Sequence, residues 1–163
     1  MGRYSGDGVT VIKPTITTDT AIYAALDVIG AAATSGVVTI TNAMRIEGGS
    51  GVLHSVSLFD DDNEKNPITL LFFDSAPSGG TYLGNGALAL ASGDKAKYLG
   101  KVNIAAADYE TLGGDAFVSL KSIGLPVKAS GSANLYMIPL VTSGTPTYTA
   151  STDLKIALGF LRD

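Results

Sequence analysis

The chain has 163 residues, of which 45% are hydrophobic and 16% charged, with 20 Gly and a formal net charge of -4. It has no Cys and a single His, which excludes disulfides, thiolate metal sites and a histidine cluster within one chain. The negative charge gives no basic surface for a phosphate backbone, so we expect no nucleic-acid partner. We also expect no cofactor.

Residues 1–18 predict an extended arm, because Gly and Pro14 surround a short apolar group. An arm of this kind buries little against its own domain, so we expect it to lie on a partner and to be dispensable for folding. Its start has neither the apolar core of a signal peptide nor a myristoylation motif, which predicts synthesis and use without export. The candidate contact residues are Val9, Val11, Ile12 and Lys13.

Residues 19–33 fit two structures. Asp19 can cap a helix that contains Ile22 and Val28, whereas Gly30 and the surrounding Thr residues suit an extended path. The low-charge run over residues 21–41 is interrupted by Asp27 and polar residues, so no membrane span is expected. We assign residues 1–35 to the arm and a connecting segment, and residues 36–163 to the main domain.

The most informative stretch is residues 67–74, PITLLFFD, which is apolar at successive positions and ends at a turn rich in Gly and Pro. This pattern predicts a central strand that is covered on both faces. Before it, residues 37–46 and 52–59 alternate between apolar and polar positions around a Gly-rich turn. They predict two strands of an antiparallel hairpin.

The remaining strands follow at short intervals. Residues 106–110 predict a single helical turn, and Pro139 indicates an edge or a bulge because it cannot donate to a β-ladder. The expected strands cover residues 87–91, 98–105 with Val102 and Ile104 inward, 116–123, 134–141 and 153–161. About eight strands without a long amphipathic helix after residue 35 predict an all-β fold, an antiparallel β-sandwich of jelly-roll type with an extended N-terminal arm.

Four features imitate catalytic or binding chemistry. His54 beside Ser55 lacks a motif for an orienting carboxylate, so we expect a strand residue at the end or edge of a sheet and no enzyme. Asp60, Asp62 and Glu64 have the spacing of an EF-hand loop without its Gly and final Glu, which favours a solvated acidic turn. The third feature, Gly84, Gly86 and Ala89, fits only a relaxed dinucleotide-binding fingerprint, and we interpret these as loop residues. The fourth is a set of tyrosines that could stack on nucleic-acid bases but lack clustered Lys and Arg, and we interpret them as core or interface residues: Tyr82, Tyr98, Tyr109, Tyr136 and Tyr148.

Several stretches together resemble the small decoration, or cement, proteins of tailed-bacteriophage capsids. The similar pieces are DVIG at 27–30, LFFDSAPS at 71–78, IAAADY at 104–109, GLP at 124–126, GTPTY at 144–148 and DLKIALG at 153–159. The chain departs from the family at residues 24–26, Ala-Ala-Leu, where similar sequences have a polar, Gly-containing link.

The resemblance implies a jelly-roll-like fold and a structural role on the exterior of a virion. The expected partners are the major capsid protein, whose neighbouring subunits would be clamped together, and further copies of this chain in a dimer or trimer. Low charge and abundant apolar residues independently favour an oligomer. The alternative is a carbohydrate- or receptor-binding β-sandwich of a virion fibre, which the absence of Trp and the 7% aromatic content disfavour.

Overall fold

The computed structural model describes residues 8–163, which form two packed antiparallel β-sheets. The single-turn helix α1 spans Ser92–Lys95, and a 3₁₀ turn spans Ala106–Asp108. The strands are β1 (Val9–Ile12), β2 (Val28–Ala32), β3 (Val38–Ile40), β4 (Ser50–Asp60), β5 (Ile68–Phe73), β6 (Tyr98–Ile104), β7 (Glu110–Leu112), β8 (Asp115–Leu120), β9 (Leu125–Lys128), β10 (Leu135–Val141) and β11 (Leu154–Arg162).

The strand order confirms the predicted β-sandwich and gives it jelly-roll topology. The larger sheet has the order β1-β11-β4-β8-β7, with β9 also paired to β4. The smaller sheet has the order β2-β10-β5-β6, with β3 also paired to β10. Four strands of each sheet form the jelly roll: β1-β11-β4-β8 in the larger sheet and β2-β10-β5-β6 in the smaller one. Along the chain these eight strands alternate between the two sheets, except that β5 is followed by its neighbour β6 in the same sheet.

Strand β5 is central and covered on both faces, as its sequence predicts. All six of its residues are buried, and it pairs with β10 on one side and β6 on the other. Ile68, Leu70 and Phe72 enter the core between the sheets. Leu71 and Phe73 belong to a second apolar cluster with Tyr82, which comes from the segment between β5 and β6. Residues of that segment therefore cover the outer face of the smaller sheet.

The predicted hairpin between residues 37–46 and 52–59 is wrong. Strand β3 pairs with β10 in the smaller sheet, whereas β4 pairs with β11, β8 and β9 in the larger one. After β3 the chain leaves the sheet at Asn42, which has a φ of 53°. It then buries Ala43 and Met44 between the sheets. The apolar alternation beyond Ile40 therefore arises because a segment that crosses between the sheets places its side chains in the core, and not because this segment is a strand of a hairpin.

The proposed boundary between residues 35 and 36 does not separate an arm from the sandwich. Strands β1 and β2 contribute one strand to each sheet, so residues 8–35 are part of the same domain as the rest. The open question over residues 19–33 is resolved in favour of an extended path that ends in β2. The Asp19 carboxylate accepts hydrogen bonds from the Asn85 amide (2.8 Å) and the Ala21 N–H (3.3 Å), and it caps no helix.

Two further strand expectations need correction. Pro139 lies in β10, inside the smaller sheet and without a register shift against β5, so it marks neither an edge nor a bulge. On the opposite side of β10 it falls between the residues paired with β3 and the residue paired with β2, where its missing N–H costs little. Residues 87–91 form only isolated bridges. The predictions of a helical turn and of strands at β6, β8 and β11 are confirmed, with bounds that differ by at most three residues.

Candidate functional site

The best candidate site is the edge of the larger sheet formed by β1. The Arg162 N–H donates to the Gly8 oxygen at 2.8 Å, which fixes the alternation of backbone groups between β11 and β1. The N–H and C=O of Val9 and Val11 therefore point away from β11, toward a side where β1 has no strand partner among residues 8–163. Both Val side chains are 61% exposed. A free strand edge with exposed apolar side chains is a template for pairing with another chain.

The rest of the predicted arm has a different environment. Ile12 is half-buried against the core and Lys13 is exposed, while Ile16 is 4% exposed and packs between the sheets. Thr18 is held by its N–H to the Ser151 oxygen (3.0 Å) and by its hydroxyl to the Ala150 oxygen (2.7 Å). The expectation that the arm buries little on its own domain is therefore wrong for residues 8–18. Residues 1–7 of the arm lie outside the described part of the chain.

The face of the larger sheet that points away from the core continues this surface; we call it the outer face. Val9 lies opposite Leu161 on β11, whose side chain is 41% exposed. Farther across the sheet, the rings of Phe59 and Phe117 stack at 6.0 Å with an interplanar angle of 28°. Small residues fill the area between these two apolar groups: Ser55, Ser57, Ala157 and Gly159. Exposed apolar groups separated by small side chains on a sheet face suit contact with a partner protein.

The corresponding face of the smaller sheet is closed by a hydrogen-bonded covering segment. The carboxylate of Asp94 accepts the Tyr82 hydroxyl (2.5 Å), the Gly79 N–H (2.7 Å) and the Lys97 ammonium (2.8 Å). The Lys97 ammonium and the Tyr82 hydroxyl hold the pKa of Asp94 well below its usual range. This network fixes the segment between β5 and β6, so within residues 8–163 the uncovered face belongs to the larger sheet.

His54 lies inside the larger sheet, and not at the end or edge that the sequence suggests. Ser55 pairs with Gly159 and Leu53 with Phe160, which leaves His54 as the extra residue of a bulge in β4. Its side chain is exposed and takes part in none of the hydrogen bonds of the described residues. Among residues 8–163, no hydrogen bond joins this imidazole to a nucleophile or a carboxylate.

The acidic turn after β4 uses its carboxylates to close loops. Asp60 accepts the N–H groups of Asp62 (3.2 Å) and Lys65 (2.9 Å), and it is completely buried, so the expectation of a solvated turn is wrong for this residue. Burial raises the pKa of Asp60. Asp62 accepts the N–H and the hydroxyl of Thr149 at 2.6 and 2.9 Å. Within residues 8–163, no group of three or more His, Asp or Glu side chains is arranged to hold a metal ion.

The glycines and most of the tyrosines that the sequence analysis singled out have packing roles. Gly84 lies in a loop against Gly30, where an added Cβ would approach backbone atoms at 2.3 Å. Of the five Tyr residues that the sequence singled out, three are buried and Tyr136 is half-buried, whereas Tyr98 is 42% exposed. In the described part of the chain, no helix has the length and apolar character required to cross a membrane.

Comparisons with known proteins give no relative. No protein-family model matches the chain, and neither a curated protein nor a solved structure gives a significant match. The function therefore has to be argued from the β1 edge, the outer face and the residues around them.

Proposed function

We propose that this protein is a structural virion protein that decorates the exterior of a tailed-phage capsid and stabilises it by clamping neighbouring major capsid subunits. The observation that carries the proposal is the edge of β1, which has no strand partner within residues 8–163 and lies beside the outer face, where Val9, Val11 and Leu161 are exposed. A surface of this kind suits contact with a protein more than catalysis. The sequence resemblance supplies the class of partner.

The stabilising mechanism is thermodynamic linkage. A protein that binds the assembled lattice, and not the free capsid subunit, lowers the free energy of the lattice and opposes its dissociation. Many equivalent sites and an oligomeric decoration protein multiply a modest affinity for each site. On this proposal the protein acts as a dimer or trimer, is synthesised in the host cytoplasm and ends on the capsid exterior.

Cosedimentation with empty, expanded capsids tests the proposal. We expect the wild-type protein to sediment with the capsids and to raise the temperature at which they dissociate. The double variant with Val9→Asp and Val11→Asp should lose most of this binding, because it places charges on the apolar β1 edge. Leu112→Asp is the matched control, since Leu112 is 63% exposed at the opposite edge of the same sheet.

A glycan array separates the proposal from the carbohydrate-binding alternative. Saturable binding to a glycan, together with no cosedimentation with capsids, would overturn the capsid role. Capsid binding that both the Val9/Val11 variant and the Leu112 variant retain would keep the function but move the contact surface away from β1.

A further inference from the structure

Within the described residues, a second strand edge of the larger sheet has no partner, next to the segment that follows β1. Pairing between β1 and β11 extends from Leu161 only to Leu158. The chain then separates from β11 at residues 13–17, where Pro14 has no N–H to donate, and returns at Thr18. A cleft of about 340 Å³ lies between residues 13–16 on one side and residues 152–156 on the other.

Hydrogen bonds at the two ends of β11 fix the direction of its backbone groups. On the side of β4, the Asp61 N–H donates to the Asp153 oxygen at 3.0 Å. On the side of β1, the Arg162 N–H donates to the Gly8 oxygen at 2.8 Å. Successive residues of a strand alternate between its two neighbours, so the even-numbered residues of β11 face β1 and then the cleft.

Leu154 and Ile156 therefore direct their N–H and C=O groups into the cleft. Neither residue has a hydrogen-bond partner on that side among residues 8–163. Two residues with outward-facing backbone groups at strand spacing, unpaired within residues 8–163, indicate a place for an additional strand.

Charged residues flank the cleft and extend it onto the outer face. A neighbouring cavity of about 270 Å³ is also lined by Lys13, Lys155 and Ile156, and it reaches Phe59 and Ala157. Lys13 is exposed and forms no salt bridge with another described residue. Lys155 pairs with Asp61, and both of these side chains are substantially exposed. The two cavities thus form one groove with two ammonium groups beside an unpaired backbone edge.

We propose that this groove binds an extended acidic peptide segment of a partner protein by strand addition to β11. The peptide backbone pairs with Leu154 and Ile156, its carboxylates lie near Lys13 and Lys155, and an apolar side chain contacts Phe59. A peptide is the occupant that matches the groove, because consecutive N–H and C=O groups at strand spacing are complementary to another backbone. The proposal concerns the chemistry of the ligand and does not depend on binding to a capsid.

Titration of the full-length protein with the peptide acetyl-VEVEV-amide tests this site. In ¹H–¹⁵N spectra we expect saturable shifts of the Leu154 and Ile156 amides, together with slower hydrogen exchange at both. The neutral peptide acetyl-VQVQV-amide should bind roughly fivefold more weakly, and added salt should reduce the difference. An acidic peptide that is N-methylated along one edge should not bind, because it cannot complete the ladder.

Charge-reversal variants identify the groove as the binding site. Lys13→Glu should weaken binding of the acidic peptide by roughly five- to tenfold. Lys101→Glu, which reverses an exposed charge on β6 in the other sheet, should leave it unchanged. The proposal is overturned if the acidic peptide leaves the Leu154 and Ile156 amides unshifted at millimolar concentration, or if both lysine variants weaken binding equally.

Discussion

Two buried tyrosines differ in whether their hydroxyl group forms a hydrogen bond, and this difference predicts different effects of mutation on stability. The Tyr109 hydroxyl donates to the Asn66 oxygen at 2.8 Å, whereas the buried Tyr148 hydroxyl has no partner among the described residues. Tyr109→Phe should therefore lower the free energy of unfolding by about 1 kcal/mol, and Tyr148→Phe should leave it unchanged or raise it. The edge-to-face contact between Tyr148 and Tyr23 survives in the Phe variant. Urea denaturation measures the free energy of unfolding of both variants. Equal losses of stability would contradict the difference in hydrogen bonding between the two hydroxyls.

The burial of Asp60 predicts a pH dependence of stability. Burial raises the pKa of Asp60 in the folded state above its ordinary value of 3.8. At pH values between 3.8 and the raised pKa, the folded state therefore binds a proton more readily than the unfolded state. In that interval the free energy of unfolding rises as the pH falls and declines as the pH rises. Asp60→Asn lacks this contribution. The stability of the wild type relative to the variant should therefore increase when the pH is lowered from 7 toward 4. Urea denaturation at both pH values measures this difference, and a constant difference would refute it.

At the scale of an element, the N-terminal segment is expected to contribute to folding as well as to recognition. Ile16 is buried between the sheets, so Ile16→Ala should lower the free energy of unfolding by about 2–5 kcal/mol. Val11→Ala should change it by less than about 0.5 kcal/mol, because the Val11 side chain is mostly exposed. Deletion of residues 1–18 should accordingly lower the thermal midpoint in a calorimetric scan. An unchanged midpoint would restore the original interpretation of a dispensable arm.

Sequence periodicity identified individual strands better than it identified their partners. In β11 the alternation of Leu154, Ile156, Leu158 and Phe160 predicted both the strand and its buried face. The same kind of alternation misled at Met44, because an apolar side chain can enter the core from a crossing segment as readily as from a strand. Pairing depends on contacts between residues far apart in sequence, which a local period does not encode.

The candidate site was predictable in part for the same reason. The sequence predicted an extended arm with Val9, Val11, Ile12 and Lys13 as candidate contact residues, and β1 with its exposed Val9 and Val11 lies within that arm. The attachment of that strand to β11 is a long-range pairing, and the groove beside Leu154 and Ile156 exists only because the chain leaves β11 after Ile12. A local sequence pattern therefore singled out the candidate contact residues but could not find the edge of the larger sheet or the groove.

At the scale of the whole molecule, the exposed surface predicts self-association. Val9, Val11 and Leu161 form an apolar group next to a strand edge that has no partner within residues 8–163. An antiparallel β1–β1 contact at this edge is self-complementary under two-fold symmetry. A four-residue strand alone offers little area, so a stable interface of about 1,200–2,000 Å² also requires the outer face. We expect a dimer or trimer at micromolar concentration in light scattering.

The same measurement on two variants tests which edge is responsible. Val11→Lys should shift the protein toward the monomer, because a charge in the middle of β1 opposes edge-to-edge pairing. Leu112→Lys introduces the same charge at a position of similar exposure on β7, and it should leave the oligomer intact. A monomeric wild type would remove self-association as a function of this surface, and would leave β1 and the outer face free to contact the capsid lattice alone. Dissociation by Leu112→Lys but not by Val11→Lys would instead place the oligomer interface at β7.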